Sequence, residues 1–216
     1  MFYGVNNMIS IEEYKQNPCE ALSIPYWKAT DIIIPDNIKI IHNKNFDETL
    51  LEKYSDKQYF RLIHRLNYVP DFSNNDFTYK ILSKKNINEL VEMINASYSH
   101  TDVFVSADYI KGLTETKVYF PELWIGAFDN TKLVGSIICD LDTKIGEGVI
   151  EWLQVLPEYR GKEIASVLVC KALNILKLNA DFVTVSGECD NTTNPESVYR
   201  KCGFVGSDIW HILTKR

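Results

Sequence analysis

Residues 149–165 read VIEWLQVLPEYRGKEIA, and within them one kind of backbone gives way to another. Val149 to Leu156 is an apolar, strand-like run that stops at Pro157. A short basic loop follows, Arg160-Gly161-Lys162, and a helical pattern runs from Ile164 to Leu178. There Ile164, Val167, Leu168, Ala172, Ile175 and Leu176 recur at three- and four-residue spacing, which places one helix face in a core. A strand that ends in a basic, glycine-containing turn and opens a helix leaves backbone N–H groups without acceptors. The positive end of the helix dipole adds to them at the same place. Such a turn suits an anion and implies a phosphorylated cofactor.

Outward from this turn the chain keeps a regular alternation. Asn74-Asn75 marks a boundary between an N-terminal accessory region, residues 1–75, and a second region, residues 76–216, that contains the turn. The second region opens with a strand (Phe77 to Leu82), a helix (Asn86 to Tyr98) and a further helical stretch (Ser106 to Thr116). Trp124 to Phe128 and Lys132 to Asp140 flank Asp129-Asn130-Thr131, a hairpin signal. After the long helix come a strand (Phe182 to Ser186), a short helix (Pro195 to Cys202) and a terminal strand or hairpin (Phe204 to Leu213). The accessory region is predicted to hold a helix over Ile9 to Gln16, capped by Ser10 with Glu13 as its capping-box partner. Asn37 to His42 alternates as a strand. Tyr54 to Leu66 reads as a helix, with Tyr59, Leu62, Ile63 and Leu66 on one face.

The pattern Arg160-x-x-x-x-Ala165, preceded by Pro-Glu-Tyr, resembles motif A of the GNAT superfamily of acyl-CoA-dependent N-acyltransferases. That signature runs Gln or Arg, two residues, Gly, one residue, then Gly or Ala; Glu163 stands where the first Gly belongs. Val198-Tyr199-Arg200-Lys201-Cys202-Gly203-Phe204 resembles the family's Leu-Tyr-x-Lys-x-Gly-Phe element, and Gly203 is expected to end its helix. The order β-α-α-β-β-β-α-β-α-β over 76–216 is similar to the GNAT order, and Pro18 to Lys28 resembles N-terminal extensions of some bacterial members. The resemblance implies an α/β (α+β) fold: a mixed, mostly antiparallel central sheet flanked by helices, with the N-terminal extension packed on it. It also implies transfer of an acetyl group from acetyl-CoA to a primary amine, by direct attack in a ternary complex. The alternative is a non-catalytic acyl-CoA-binding or sensory module, which the carboxylate of Glu163 beside a pyrophosphate favours.

Under that resemblance the amides of Gly161, Lys162, Glu163, Ile164, Ala165 and Ser166 hold the cofactor diphosphate, helped by the Arg160 and Lys162 side chains. The backbone of Leu153, Gln154 and Val155 pairs with the pantetheine arm as a strand edge pairs with a peptide. Asn191 or Asn194 bonds the pantetheine amides; Asn194 before Pro195 reads equally as a helix N-cap. Tyr199 sits near the cofactor sulfur and protonates the departing thiolate, or is a packed aromatic. The acceptor amine must lose a proton, and Glu151, inside the apolar strand and alternating with Leu153 and Val155, is the candidate base. A solvent-facing Glu151 paired with Lys132 or Lys144 is the other reading, and Glu188, Asp190, His100 and Asp102 are alternative bases. The first 70 residues and Ser97 to Phe120 shape the acceptor pocket, where Asp102, Asp108 and Glu115 face a cationic small molecule or peptide.

Composition bounds these readings. With 216 residues and 45% hydrophobic content, the chain is long enough for a sizeable core. A net charge of -6 without a basic stripe argues against nucleic acid. No apolar stretch reaches the roughly 20 residues that span a bilayer, and no basic-then-apolar leader opens the chain. The five cysteines lack CxxC spacing and the four histidines lack ligand spacing, so reduced thiols, a cytoplasmic setting and no metal are expected. Acyl-enzyme chemistry at Cys189 or Cys202 is disfavoured, because no histidine lies nearby in sequence. The chain is expected to act as a monomer or homodimer.

Overall fold

The computed structural model describes residues 9–21, 34–72, 76–101 and 103–216. The proposed boundary Asn74-Asn75, most of the Pro18 to Lys28 segment and Asp102 lie outside them. The contacts group the chain into two units, one of residues 65–183 with 201–203, the other of residues 1–64, 184–200 and 204–216. Together they hold eight strands, mostly antiparallel, and flanking helices, the mixed architecture that the sequence implied.

In the first unit β3 (Thr78–Ile81), β4 (Tyr119–Asp129), β5 (Lys132–Asp142) and β6 (Glu147–Val155) lie in the order β6-β5-β4-β3, every pair antiparallel. The strand β5 is buried from Leu133 to Leu141 with no alternation. A strand covered on both faces reads as a continuous apolar run for that reason. The β4–β5 hairpin closes at Asn130-Thr131, where Asn130 takes φ 53°. Asparagine tolerates that left-handed angle better than most residues. Helices α3 (Ile87–Ser97), α4 (Ala107–Leu113) and α5 (Ile164–Leu176) complete this unit. The apolar face predicted for α5 is buried, apart from a half-buried Ile175.

In the second unit α1 (Ile11–Gln16) carries the predicted capping box: Ser10 Oγ accepts from the Glu13 amide, and Glu13 Oε2 accepts from the Ser10 amide at 2.8 Å. After α2 (Pro18–Ala21) come β1 (Ile38–His42) and β2 (Tyr54–His64). Strand β7 (Phe182–Glu188) runs into this unit from Thr184, followed by α6 (Pro195–Lys201) and β8 (Val205–Lys215). The order is β1-β8-β2-β7, and β8 pairs antiparallel with both β1 and β2. The helix expected over Tyr54 to Leu66 is therefore a strand. Its register against β8 runs from Tyr54 opposite Lys215 to Ile63 opposite Val205. Tyr59, Leu62 and Ile63 mimic helical spacing because the C-terminal half of β2 is buried on both sides, where a short apolar run has no telling period. The deciding partner lies some 150 residues downstream, beyond any local pattern.

Arg61 on β2 is 1% exposed. Its guanidinium donates to the Pro18 carbonyl, Ser186 Oγ, Tyr14 Oη and Thr184 Oγ1 at 3.1–3.3 Å, fastening α1, α2 and β7 to β2. A fork of fixed donors suits such a junction better than a flexible ammonium.

A close strand–helix approach in the first unit gives a test. A Cβ added at Gly148 would fall 2.6 Å from Leu176 Cδ2, in the core. Gly148→Ala should cost about 1–3 kcal/mol in urea unfolding, whereas a loss below about 0.5 kcal/mol would mean that Leu176 yields freely.

Candidate functional site

The register between β5 and β6 is broken at one point. Ile138 stands opposite Trp152 and Cys139 opposite Ile150, so Glu151 is the extra residue of a β-bulge. A bulge bends the strand and re-aims its side chain. It also ends the strict alternation on which a shared face for Glu151, Leu153 and Val155 rested. Glu151 is half-buried. Burial pushes the Cys139 thiol well up, and the charges of Asp140 and Glu151 add to that effect.

Beyond the bulge, Gln154 is buried and donates to Ser136 Oγ, so its side chain is committed to the core. The Leu153 carbonyl lies 3.5 Å from the Tyr98 hydroxyl. Tyr98 packs edge-on against Trp152, which also meets Tyr109, with centroids 6.0 and 6.3 Å apart. Burial raises the Tyr98 phenol above its ordinary range, with Arg160 partly offsetting it. Sequence reasoning missed this aromatic wall. Only the density of tyrosines in Ser97 to Phe120 hinted at it, and nothing local linked them to Trp152. Phe104, 78% exposed, and Val103 lie on the α3–α4 connection, within the Ser97 to Phe120 stretch expected to shape the acceptor pocket. Asp108 and Glu115 are exposed there.

The turn itself is held from beneath. Tyr159 Oη donates to Asp129 at 3.0 Å, and Lys162 lies 4.8 Å over the Tyr159 ring. Arg160 Nε donates to the Val155 carbonyl at 3.2 Å and Nη2 to the Ser97 carbonyl at 2.9 Å, the latter at the C-terminal end of α3. These bonds tie the guanidinium to the scaffold of the turn. Gly161 then takes φ 78° and Glu163 φ 59°, both left-handed, before α5 begins at Ile164. Space beside Gly161 is open, with nothing within 4 Å of a Cβ placed there. Among the described residues, the amides of Gly161 through Ser166 meet no acceptor elsewhere in the fold; the first to do so is Val167, which donates to the Glu163 carbonyl at 3.0 Å. Glu163 is exposed and its side chain caps nothing. Six adjacent amides at a helix N-terminus, with Lys162 at their edge, make this turn a candidate anion cradle.

The remaining sequence-picked residues fall in the other unit. Tyr199 is 6% exposed, its ring 6.2 Å from Phe60 and 5.7 Å from Phe204. The Phe204 amide donates to the Tyr199 carbonyl at 3.1 Å and Gly203 takes φ 96°, the left-handed end expected of α6. Asn191 Oδ1 accepts from the Thr193 amide and hydroxyl at 2.9 and 2.7 Å. Asn194, at φ 47°, accepts from the Ser197 amide at 3.4 Å, which is the N-cap reading. Glu188 pairs with Lys57 at 3.3 Å. Among the described residues no cluster of three or more His, Cys, Asp or Glu groups is placed to hold a metal.

A bulged strand that feeds a left-handed, amide-lined turn, in a mixed sheet flanked by helices, defines the chain as an α/β protein. Over residues 87–204 the sequence matches the acetyltransferase (GNAT) family, and the chain belongs to it. It is 34% identical over 89 residues to N-alpha-acetyltransferase 30 of Schizosaccharomyces pombe, covering 39% of this chain and 59% of that protein. N-alpha-acetyltransferase MAK3 of Arabidopsis thaliana is 33% identical over 89 residues, with 40% and 46% covered. The chain thus spans about half the length of the curated relatives it matches. Among solved structures, a GCN5-related N-acetyltransferase from Sphaerobacter thermophilus superposes with a TM-score of 0.68 at 15% identity, over 88% of this chain and 64% of that one. The PaiA N-acetyltransferase of Thermoplasma acidophilum, solved with coenzyme A, gives 0.50 at 20% identity, over 66% and 100%.

Glu163 holds an angle that costs an L-residue roughly 1–2 kcal/mol and glycine little. Glu163→Gly should therefore stabilise the fold by about 0.5–1 kcal/mol in thermal unfolding, while Glu163→Ala should not. An equal gain from both variants would show that removal of charge, rather than relief of the angle, is at work.

Proposed function

We propose that this chain transfers an acetyl group from acetyl-CoA to a primary amine by direct attack in a ternary complex. The observation that carries the reading is the run of acceptor-less amides from Gly161 to Ser166. With the dipole of α5 behind them and Lys162 beside them, they hold a diphosphate in a protein whose overall charge is -6. Leu153, Gln154 and Val155 offer backbone groups to the amide-bearing arm of the cofactor, and Asn191 or Asn194 supplies a further contact. When bound, acetyl-CoA supplies the activated acyl group. Arg160 keeps the cradle in position through its bonds to Val155 and Ser97.

An alkylammonium at pH 7 lies about 4–5 kcal/mol from its reactive neutral form. Glu151, directly or through water, takes that proton; the bulge carries its carboxylate out of the ladder, which supports this role. Tyr199 returns a proton to the departing thiolate. A phenol is less acidic than a thiol by about 1.5 units, so this transfer is uphill but short. The acceptor is a small molecule or the amine of a peptide, and the two N-alpha-acetyltransferase relatives support the peptide. Five free cysteines support a reducing, cytoplasmic setting. The accessory region 1–75 serves the acceptor side.

Calorimetry with acetyl-CoA, followed by thiol release across peptide N-termini and small amines, tests the proposal. Binding with release for at least one amine is expected. Binding without release for every amine would favour a sensory module, for which Glu163 in the cradle is the specific support, and absence of binding would overturn both. Tyr199→Phe should lower kcat at least tenfold with acetyl-CoA affinity near normal. Glu151→Gln should depress the rate most steeply toward neutral pH, where the acceptor is charged; an unchanged pH profile would remove Glu151 as the base.

A further inference from the structure

Two buried thiols, at Cys170 on α5 and at Cys202 after α6, have no part in the roles above. Cys170 is 4% exposed and Cys202 is 0% exposed, and the two side chains shift each other's thiol in opposite directions. Cys202 Sγ also lies 3.7 Å from the Ser166 carbonyl. Ser166 and Cys170 are one helical turn apart on the same face, so Cys202 is seated against both. Both cysteines belong to the unit of residues 65–183 and 201–203.

We infer that Cys170 and Cys202 form a modification site, a thiol pair that a peroxide closes to a reversible disulfide. Cys202 holds the Cys170 thiol below its ordinary range, while Cys170 and burial push Cys202 up. Cys170 is also the less enclosed of the two, so it is the attacking thiolate. Its sulfur takes one peroxide oxygen, the O–O bond breaks, and water leaves with a sulfenic acid left behind. Cys202 then gives up its proton, its sulfur displaces the hydroxyl, and a second water leaves as the S–S bond forms. Two sulfurs are each oxidised by one electron and peroxide is reduced to two waters. The bond fastens the helix that opens at the anion cradle to the residue that follows α6. The acyl-transfer reading is not required for any of this.

The full chain treated with hydrogen peroxide, capped with N-ethylmaleimide and digested with trypsin without reduction gives a direct readout. Cleavage after Lys162, Lys171, Lys201 and Lys215 places Cys170 in peptide 163–171 and Cys202 in peptide 202–215. The expected product is these two peptides joined, two hydrogens lighter than their sum and separated by dithiothreitol. It should form in wild type as the main product and be absent in Cys170→Ser and Cys202→Ser. The oxidised wild type should also melt several degrees higher, a gain that dithiothreitol reverses. Recovery of both peptides separately capped, with oxidation confined to the less buried Cys189, would overturn the inference. So would a joined product with any other cysteine.

Discussion

The candidate site depends on a turn in which the backbone leaves six consecutive amides without an acceptor among the described residues. A helix cannot satisfy its own first donors, so every helix start poses this problem, and most proteins solve it with a capping side chain. Here α5 has no such cap. Two residues in left-handed conformation, Gly161 and Glu163, bend the chain so that its donors remain available. The cost of the bend, about 1–2 kcal/mol at Glu163, is offset by the burial of α5, where nine side chains lie in the core. Burying even one of them contributes roughly 1.5–3 kcal/mol. Packing therefore wins over local strain.

Charge arrangement follows from that geometry. The two cations of the turn do different things. Arg160 has an acceptor for Nε and another for Nη2, and both are backbone carbonyls at the ends of neighbouring elements. A planar fork with fixed directions is suited to stapling. Lys162 packs over Tyr159, with its ammonium at the surface, free to swing toward an anion. A protein that is acidic overall thus shows a polyanion a small patch of opposite sign.

Much of this was legible in the sequence because it is local. The capping box at Ser10 and Glu13, the hairpin at Asn130-Thr131, the strand–turn–helix around Gly161 and the helix end at Gly203 each follow from residues within a few positions of one another. The left-handed angle at Glu163 was legible in a negative sense, since the residue stands where glycine is favoured. What was not legible depends on distant pairing. β2 looked helical because its partner β8 lies at the other end of the chain. Arg160 was read only beside the phosphates, because nothing near it in sequence announces its bond to the Ser97 carbonyl. The wall of Tyr98, Trp152 and Tyr109 joins three elements and leaves no motif.

The bulge at Glu151 shows the same limit at the point where chemistry matters most. In a regular strand a carboxylate has two choices, the core or the opposite face, and one adjacent residue fixes both. Burying a charged carboxylate in the apolar face is costly. One inserted residue supplies a third direction without moving the rest of β6. Ile150 and Trp152 keep their ladder partners on either side, so the strand loses one step of pairing and keeps its place in the sheet. An alternating pattern of side chains cannot report an insertion, because an insertion is defined by the partner strand. The half-burial of Glu151 is therefore a property of the β5–β6 pair, where Cys139 senses its charge, rather than of the strand that carries it.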